Sequence, residues 1–185
     1  MVIKDKRIEG KNLAWILRCP TKADAEELSN LRVKIDGETE NLDREPGEGL
    51  LTPEDFERII YKDTISKTTL FLIAEVNGKI VGFTRCEGNK LSRFRHKAEF
   101  GICILKEYWG YGIGKVLLEN ILIWANTAGI KKISLTVVET NKKAIELYKR
   151  YEFVEEGLLI NDRIHKDGNY YNTVIMGKFL YKNND

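Results

Sequence analysis

The chain has 185 residues, 30 Lys plus Arg against 28 Asp plus Glu, and 43% hydrophobic residues. That length favours one domain with a core that needs no disulfide or metal staple, and a net charge of +2 supplies no concentrated basic surface for sequence-independent nucleic-acid binding. Three scattered cysteines (Cys19, Cys86, Cys103) without a CxxC exclude a zinc ribbon and argue against a secreted disulfide framework, and the charged start MVIKDKRIEGK is no signal peptide. The most apolar stretch, Val116 to Ala128, is interrupted by Glu119, Asn120 and Asn126, too short and too polar to span a bilayer. The expectation is a reduced, cytoplasmic protein that contacts neither membrane nor nucleic acid. It is read as one domain over 1–185, with its core about 13–179 and a frayed polar tail at Tyr181–Asp185.

Leu13 to Arg18 reads as a first strand, ended by Pro20 and Thr21, and Thr21 with Asp24 resembles a helix N-cap. Ala25, Leu28, Leu31, Val33 and Ile35 suggest a helix, followed by a loop-like stretch at 36–53. Thr52-Pro-Glu-Asp55 opens a second helix with Thr as cap, Pro at its first position and acids at its positive end. Leu70 to Val76 and Ile80 to Thr84 are strands joined by Asn77-Gly78, a strong hairpin signal. Ala98 to Leu105 is a strand, Val116 to Thr127 a helix with its stripe at Val116, Leu117, Ile121, Trp124 and Ala128. Lys132 to Val138 is a strand, Asn141 caps a short helix through Tyr151, and strands at Phe153–Leu159 and Tyr170–Met176 flank the Asp167-Gly168 turn. A central strand–helix–strand–helix–strand run between hairpins predicts an α/β fold with a mixed sheet.

The chemistry concentrates in Lys106-Glu-Tyr-Trp-Gly-Tyr-Gly-Ile-Gly-Lys115. A glycine-rich turn between a strand and a helix aims several backbone N–H groups at one point and adds the positive helix end, which suits an anion. A P-loop is excluded because Trp109 and Val116 stand where it needs Gly and Ser or Thr. A dinucleotide fingerprint is excluded because Lys115 stands where it needs Gly. A tight turn without a ligand explains the glycines equally well on their own.

In context, Trp109-Gly-Tyr-Gly112-Ile-Gly114 resembles the pyrophosphate motif of the GNAT superfamily of N-acetyltransferases, with Trp109 at a position usually Gln or Arg. A second block, Leu135 to Phe153, resembles the family's strand, Asn-x-x-Ala, x-x-x-Tyr and terminal Phe; Glu152 stands where Gly is usual and would strain a left-handed helix end or change the cap. Ala98-Glu-Phe, Asn141-Lys-Lys-Ala-Ile and Gly168 to Met176 are similar to the polyamine and ribosomal-protein N-terminal acetyltransferase branches. The resemblance covers about Leu13 to Phe179. It implies acetyl-CoA as co-substrate, no metal, and a homodimer with the C-terminal strands at its edge.

The implied reaction is attack of a neutral amine on a thioester. Only about one alkylamine in 10³ is neutral at pH 7, so a base must act, directly or through water. The resemblance makes Glu99 the candidate base and Tyr148 the group facing the departing sulfur; a surface carboxylate and a core tyrosine are the plain structural alternatives. Strand backbone at Ile102, Cys103 and Ile104 would pair with the pantetheine arm. Trp109, Gly110, Tyr111, Gly112, Ile113, Gly114 and Lys115 would hold the pyrophosphate, with Asn141 and Ala144 beside the cofactor or simply capping their helix. A covalent route through Cys103 is disfavoured, since no adjacent base is evident. His96 and His165 are too isolated to suggest a triad or metal site.

Residues 36–48 carry Asp36, Glu38, Glu40, Asp43, Glu45 and Glu48 against Arg44. An acidic rim would attract a polycation, with Glu38 and Glu40 as its contacts; a solvated loop is the alternative. The reading is an N-acetyltransferase acting in a ternary complex on a small basic amine such as a polyamine. A protein N-terminus is the second acceptor, and a non-catalytic acyl-CoA sensor the other class.

Overall fold

The computed structural model describes residues 2–10 and 12–180; the tail read as frayed lies outside them. One eight-stranded sheet runs through the protein in the order β1-β2-β3-β4-β5-β6-β8-β7. Its strands are β1 (Lys6–Glu9), β2 (Ala14–Arg18), β3 (Thr69–Val76), β4 (Lys79–Gly88), β5 (Lys97–Ile104), β6 (Lys132–Val138), β7 (Val154–Ile164) and β8 (Tyr170–Phe179). The helices are α1 (Ala25–Glu38), α2 (Pro53–Ile65), α3 (Ile113–Thr127) and α4 (Lys142–Arg150). Among the described residues β5 and β6 alone pair in parallel, and every other neighbour pair is antiparallel. The mixed α/β fold expected from the sequence is therefore present.

Local chemistry accounts for most element ends. Asp55 N–H donates to Thr52 Oγ1 at 3.2 Å and Thr52 N–H to the Asp55 carboxylate at 2.9 Å, with Pro53 at the first helical position. Asn77 (φ 49°) and Gly78 (φ 76°) both take the left-handed conformation that a two-residue hairpin turn requires. The Asp24 carboxylate accepts from Thr21 N–H at 2.6 Å and from both Arg18 Nη groups at 2.7 and 2.8 Å, tying α1 to β2.

The structure departs from the sequence reading at several places, α3 starting at Ile113 rather than Val116 and β7 and β8 running on to Ile164 and Phe179. β1 was not foreseen, because its Lys-Arg-Ile-Glu carries a single apolar residue. α1 continues through Glu38, into the stretch read as loop, because Asp36 is buried and bound by Arg32 one turn earlier. The buried face of α3 is Ile113, Leu117, Leu118, Ile121, Trp124 and Ala125, whereas Val116 and Ala128 are only partly buried.

The sheet's two faces follow from alternation along β5. Ile102 and Ile104 point toward α3, where a Cβ on Gly114 would lie 3.4 Å from Ile104 Cδ1. Cys103 points to the other face, where Arg32 of α1 reaches its sulfur, and Arg85 of β4 binds Asp63 of α2 on that same face. The core fills both layers, with Leu70, Leu72, Leu117, Leu118, Ile121 and Ile133 among its fully buried members.

Candidate active site

β5 and β6 pair at only three positions, Lys97↔Lys132, Ala98↔Ile133 and Glu99↔Ser134, although both strands continue. Beyond Glu99 they part into a wedge. β5 stays fully paired to β4, and Leu105 N–H donates to Val81 C=O at 3.0 Å, so odd residues of β5 turn their backbone groups to β4. Even residues then turn theirs into the wedge. Ile102 therefore offers N–H and C=O there, and Ile104 offers N–H, its C=O being taken by Trp109 Nε1 at 2.8 Å. Cys103, grouped with them in the sequence reading, turns its backbone toward β4 and contributes only its side chain.

The wedge opens at the glycine turn. Gly110 (φ 87°) and Gly112 (φ 83°) are left-handed, and Gly112 starts α3 with no side chain capping it. A side-chain cap would consume one of the four free N–H groups at a helix start. The ladder begins with Val116 N–H on Gly112 C=O at 3.1 Å, and among the described residues the N–H groups of Ile113, Gly114 and Lys115 have no partner, leaving them for an anion. Ile113 is 1% exposed, so its side chain belongs to the core. Tyr111 and Lys115 are exposed, with Lys115 Nζ 3.9 Å from Glu119. The turn, the helix start and the wedge edge together fit a diphosphate carried on an extended, hydrogen-bonding arm.

Asn141 Oδ1 accepts from Ala144 N–H at 3.3 Å, so capping α4 accounts for that residue. One helical turn on, Tyr148 is 6% exposed, its ring edge-on to Phe100 (6.1 Å between centroids) and tilted against Phe153 (5.8 Å). Burial, with a smaller push from Cys103, raises its pKa well above the usual phenol value, so the hydroxyl keeps its proton. Phe153 follows Glu152, whose φ of 62° is left-handed; Lys178 Nζ at 2.6 Å holds its carboxylate and keeps its pKa below the usual range. The helix end is thus the conformation that Gly favours, occupied by Glu.

Glu99 is exposed, on the α1–α2 face of the last paired position of β5. It lies three residues from Ile102, about 10 Å along the strand. Cys103 is buried, and burial pushes its thiol up to about 11 while Arg32 Nη1 donates to Sγ at 3.6 Å. A protonated thiol facing a cation, with the nearby Asp36 already bound to that cation, does not form a nucleophile–base pair.

The acidic segment is less available than its composition suggests. Glu38 accepts from Lys106 N–H at 2.7 Å and Glu40 from Lys166 N–H at 2.6 Å. Asp43 meets Arg163 at 2.9 Å and Glu45 meets Lys166 Nζ at 3.3 Å, so the β7–β8 hairpin compensates the acids after α1. Between these elements lies a cleft of about 490 Å³, lined by residues 37–41, Lys106, Trp109, Thr140, His165 and Lys166. Trp109, expected beside the cofactor, faces this cleft as well.

Sequence reasoning missed His165, Arg163 and Arg32. His165 stacks on Tyr171 at 4.2 Å, with Nδ1 4.0 Å from Glu40 and Nε2 buried without a partner. It reads as isolated in the sequence because Glu40, in the loop after α1, meets it only in the fold. The i,i+4 pair Arg32–Asp36 was the available signal for Arg32. Among the described residues no group of three or more His, Cys, Asp or Glu is placed to hold a metal, and no helix is long and apolar enough to cross a membrane.

Residues 38–153 match the model of the acetyltransferase (GNAT) family. A crystal structure of a GNAT-family acetyltransferase from Streptococcus pneumoniae superimposes with a TM-score of 0.86 at 32% identity, covering 90% of this chain and 99% of that one. An L-amino acid N-acetyltransferase of Escherichia coli is 34% identical over 87 residues, 46% of this chain and 54% of the relative. Spermidine N(1)-acetyltransferase of Vibrio cholerae is 31% identical over 93 residues, 50% of this chain and 53% of the relative. The chain thus spans about half the length of these curated relatives.

Proposed function

The chain belongs to the acetyltransferase (GNAT) family, and on that premise we propose that it moves an acetyl group from acetyl-CoA to the primary amine of a small molecule, both bound together. The observation that carries this reading is the open edge of β5 running into the uncapped start of α3. When bound, acetyl-CoA supplies an acetyl group activated as a thioester. The N–H groups of Ile113, Gly114 and Lys115 hold its diphosphate, and Ile102 and Ile104 offer strand hydrogen bonds to its arm.

Glu99 accepts the proton that the acceptor ammonium must lose. At about 10 Å along β5 from Ile102, it does so through water. The nitrogen–carbon bond forms as the carbon–sulfur bond breaks; the nitrogen loses its second proton to water, and sulfur leaves as a thiolate. Tyr148 donates a hydrogen bond to that sulfur. A phenol near 10 against a thiol near 8.5 already disfavours complete proton transfer, and burial raises Tyr148 further.

The cleft volume is that of a small-molecule site. Because Asp43 and Glu45 meet Arg163 and Lys166 of the β7–β8 hairpin, the electrostatic case for a polycation is weaker than the composition suggests, and a small primary amine is the acceptor proposed. Calorimetric titration with acetyl-CoA and coenzyme A release against an amine panel test this. Binding with amine-dependent release is expected. Absence of binding overturns the reading, and binding with no release on any amine favours an acyl-CoA sensor.

A further inference from the structure

On the α1 face of the sheet, one guanidinium is held against β5 beside Cys103 without being fully used. Arg32 lies in the middle of α1, 18% exposed, its Nε donating to both oxygens of Asp36 at 2.9 and 2.8 Å. Nη1 reaches Cys103 Sγ at 3.6 Å, and Nη2 has no hydrogen-bond partner among the described residues. A guanidinium carries five N–H donors in a planar fork, and this one leaves donors free beside the sulfur. Asp36 fixes the fork's orientation from behind, which removes much of the ordering cost of binding.

The surroundings agree in sign. Near Cys103 stand Arg32 and Arg44 against Asp36 and Asp43, and Asp43 is itself bound by Arg163 at 2.9 Å. The two carboxylates are each held by a guanidinium, Asp36 by Arg32 and Asp43 by Arg163, so a carboxylate on the acceptor meets free donors of Arg32 without an unpaired acid beside them. The spacing agrees too. Cys103 lies one residue, 3.8 Å between Cα atoms, from both Ile102 and Ile104, whose N–H groups line the wedge. A group bound to Arg32 therefore lies on the α1 side of the strand whose edge lines the wedge.

We infer that Arg32 is the carboxylate-binding residue of the acceptor site, and that the acceptor is an α-amino acid whose amine is presented to the thioester while its carboxylate lies on the free donors of Arg32. This rests on the acetyl-transfer reading above and adds the acceptor's class to it. Asp36 is a positioning residue that holds the fork; Arg32 touches the substrate.

The test compares free L-amino acids with their methyl esters and with spermidine, by coenzyme A release from the wild-type chain. The free acids are expected to exceed their esters in kcat/KM by about 10- to 100-fold, the range of a charge-assisted, two-point contact. Arg32→Gln should abolish that preference by raising the acid's KM while leaving the ester's unchanged within about threefold. Arg32→Lys, which keeps the charge and a partner for Asp36, should restore part of it; a purely structural role for Arg32 would lower acid and ester together. Acetyl-CoA affinity, measured by calorimetry, should be the same in all three chains. Equal rates on acid and ester, turnover confined to spermidine or peptides, or no turnover on any amino acid by a chain that binds acetyl-CoA each overturn the inference while the acetyl-CoA site stands. No acetyl-CoA binding by the wild type overturns the acetyl-transfer reading itself, and this inference with it.

Discussion

The cradle at the start of α3 is made of backbone, and the region between α1 and the β7–β8 hairpin is made of side chains. At the first, Ile102, Ile104, Ile113, Gly114 and Lys115 offer N–H groups fixed by the strand and the helix start. At the second, side chains from separated segments meet, Arg32 on Asp36, Arg163 on Asp43 and His165 4.0 Å from Glu40. A backbone cradle depends on φ, ψ and local spacing, so it tolerates changes of side chain such as Trp109 for Gln or Arg. A side-chain pocket depends on which residues meet, so one substitution can change what it accepts.

The largest effect expected from breaking this contrast lies where the two ends meet. Tyr148→Phe keeps the ring packed between Phe100 and Phe153 and removes only the hydroxyl. It should lower kcat about 10²-fold or more, with acetyl-CoA affinity and melting temperature nearly unchanged. Wild-type kcat would then be sensitive to the loss of one oxygen; an unchanged kcat would leave Tyr148 a core residue.

Next comes the backbone end. Gly112→Val forces a β-branched residue into φ 83° at the start of α3. It should weaken acetyl-CoA binding by about 10-fold or more, whereas Trp109→Gln should change that affinity by less than about threefold. The reverse ranking in calorimetry would assign the anion site to side chains.

Glu152→Gly probes strain away from the cleft. Glycine removes the cost of φ 62°, and the melting temperature should rise by about 2–4 °C. Lys178 lowers the pKa of Glu152, so that pair stabilises the fold above the unfolded carboxylate pKa, near 4.3, and is lost as pH falls through the folded value. The variant's gain should therefore be larger at pH 3.5 than at pH 7; an equal gain at both would show that the Lys178 pair adds nothing.

The smallest effect is expected at the rim. Glu38→Gln with Glu40→Gln keeps acceptors for the Lys106 and Lys166 amides and removes charge already compensated nearby. Acceptor KM should move by less than about threefold. A tenfold rise would restore the acidic-rim account of acceptor binding.

Much of this was legible in the chain before folding. Thr52-Pro53 announced α2, Asn77-Gly78 the β3–β4 hairpin, and the glycines at 110, 112 and 114 the start of α3, because each is a short-range demand on backbone dihedrals or on orphan N–H groups. Glu152 was legible for the same reason: a left-handed helix end prefers Gly, and the strained φ is there. β1 was not, since a four-residue edge strand with one apolar residue has almost no pattern to read.

Sequence by itself determined the order of the elements from β2 onward, the mixed sheet and the backbone cradle, because these follow from periodicity, capping and turn chemistry within a few residues. Only the tertiary structure decided that β5 and β6 part after Glu99, that Cys103 turns its backbone to β4, and that Asp43 and Glu45 are compensated by Arg163 and Lys166. It alone brought Arg32 against Cys103. Those outcomes depend on strand register and on charges over 100 residues apart finding one another, and a local pattern carries no information about either.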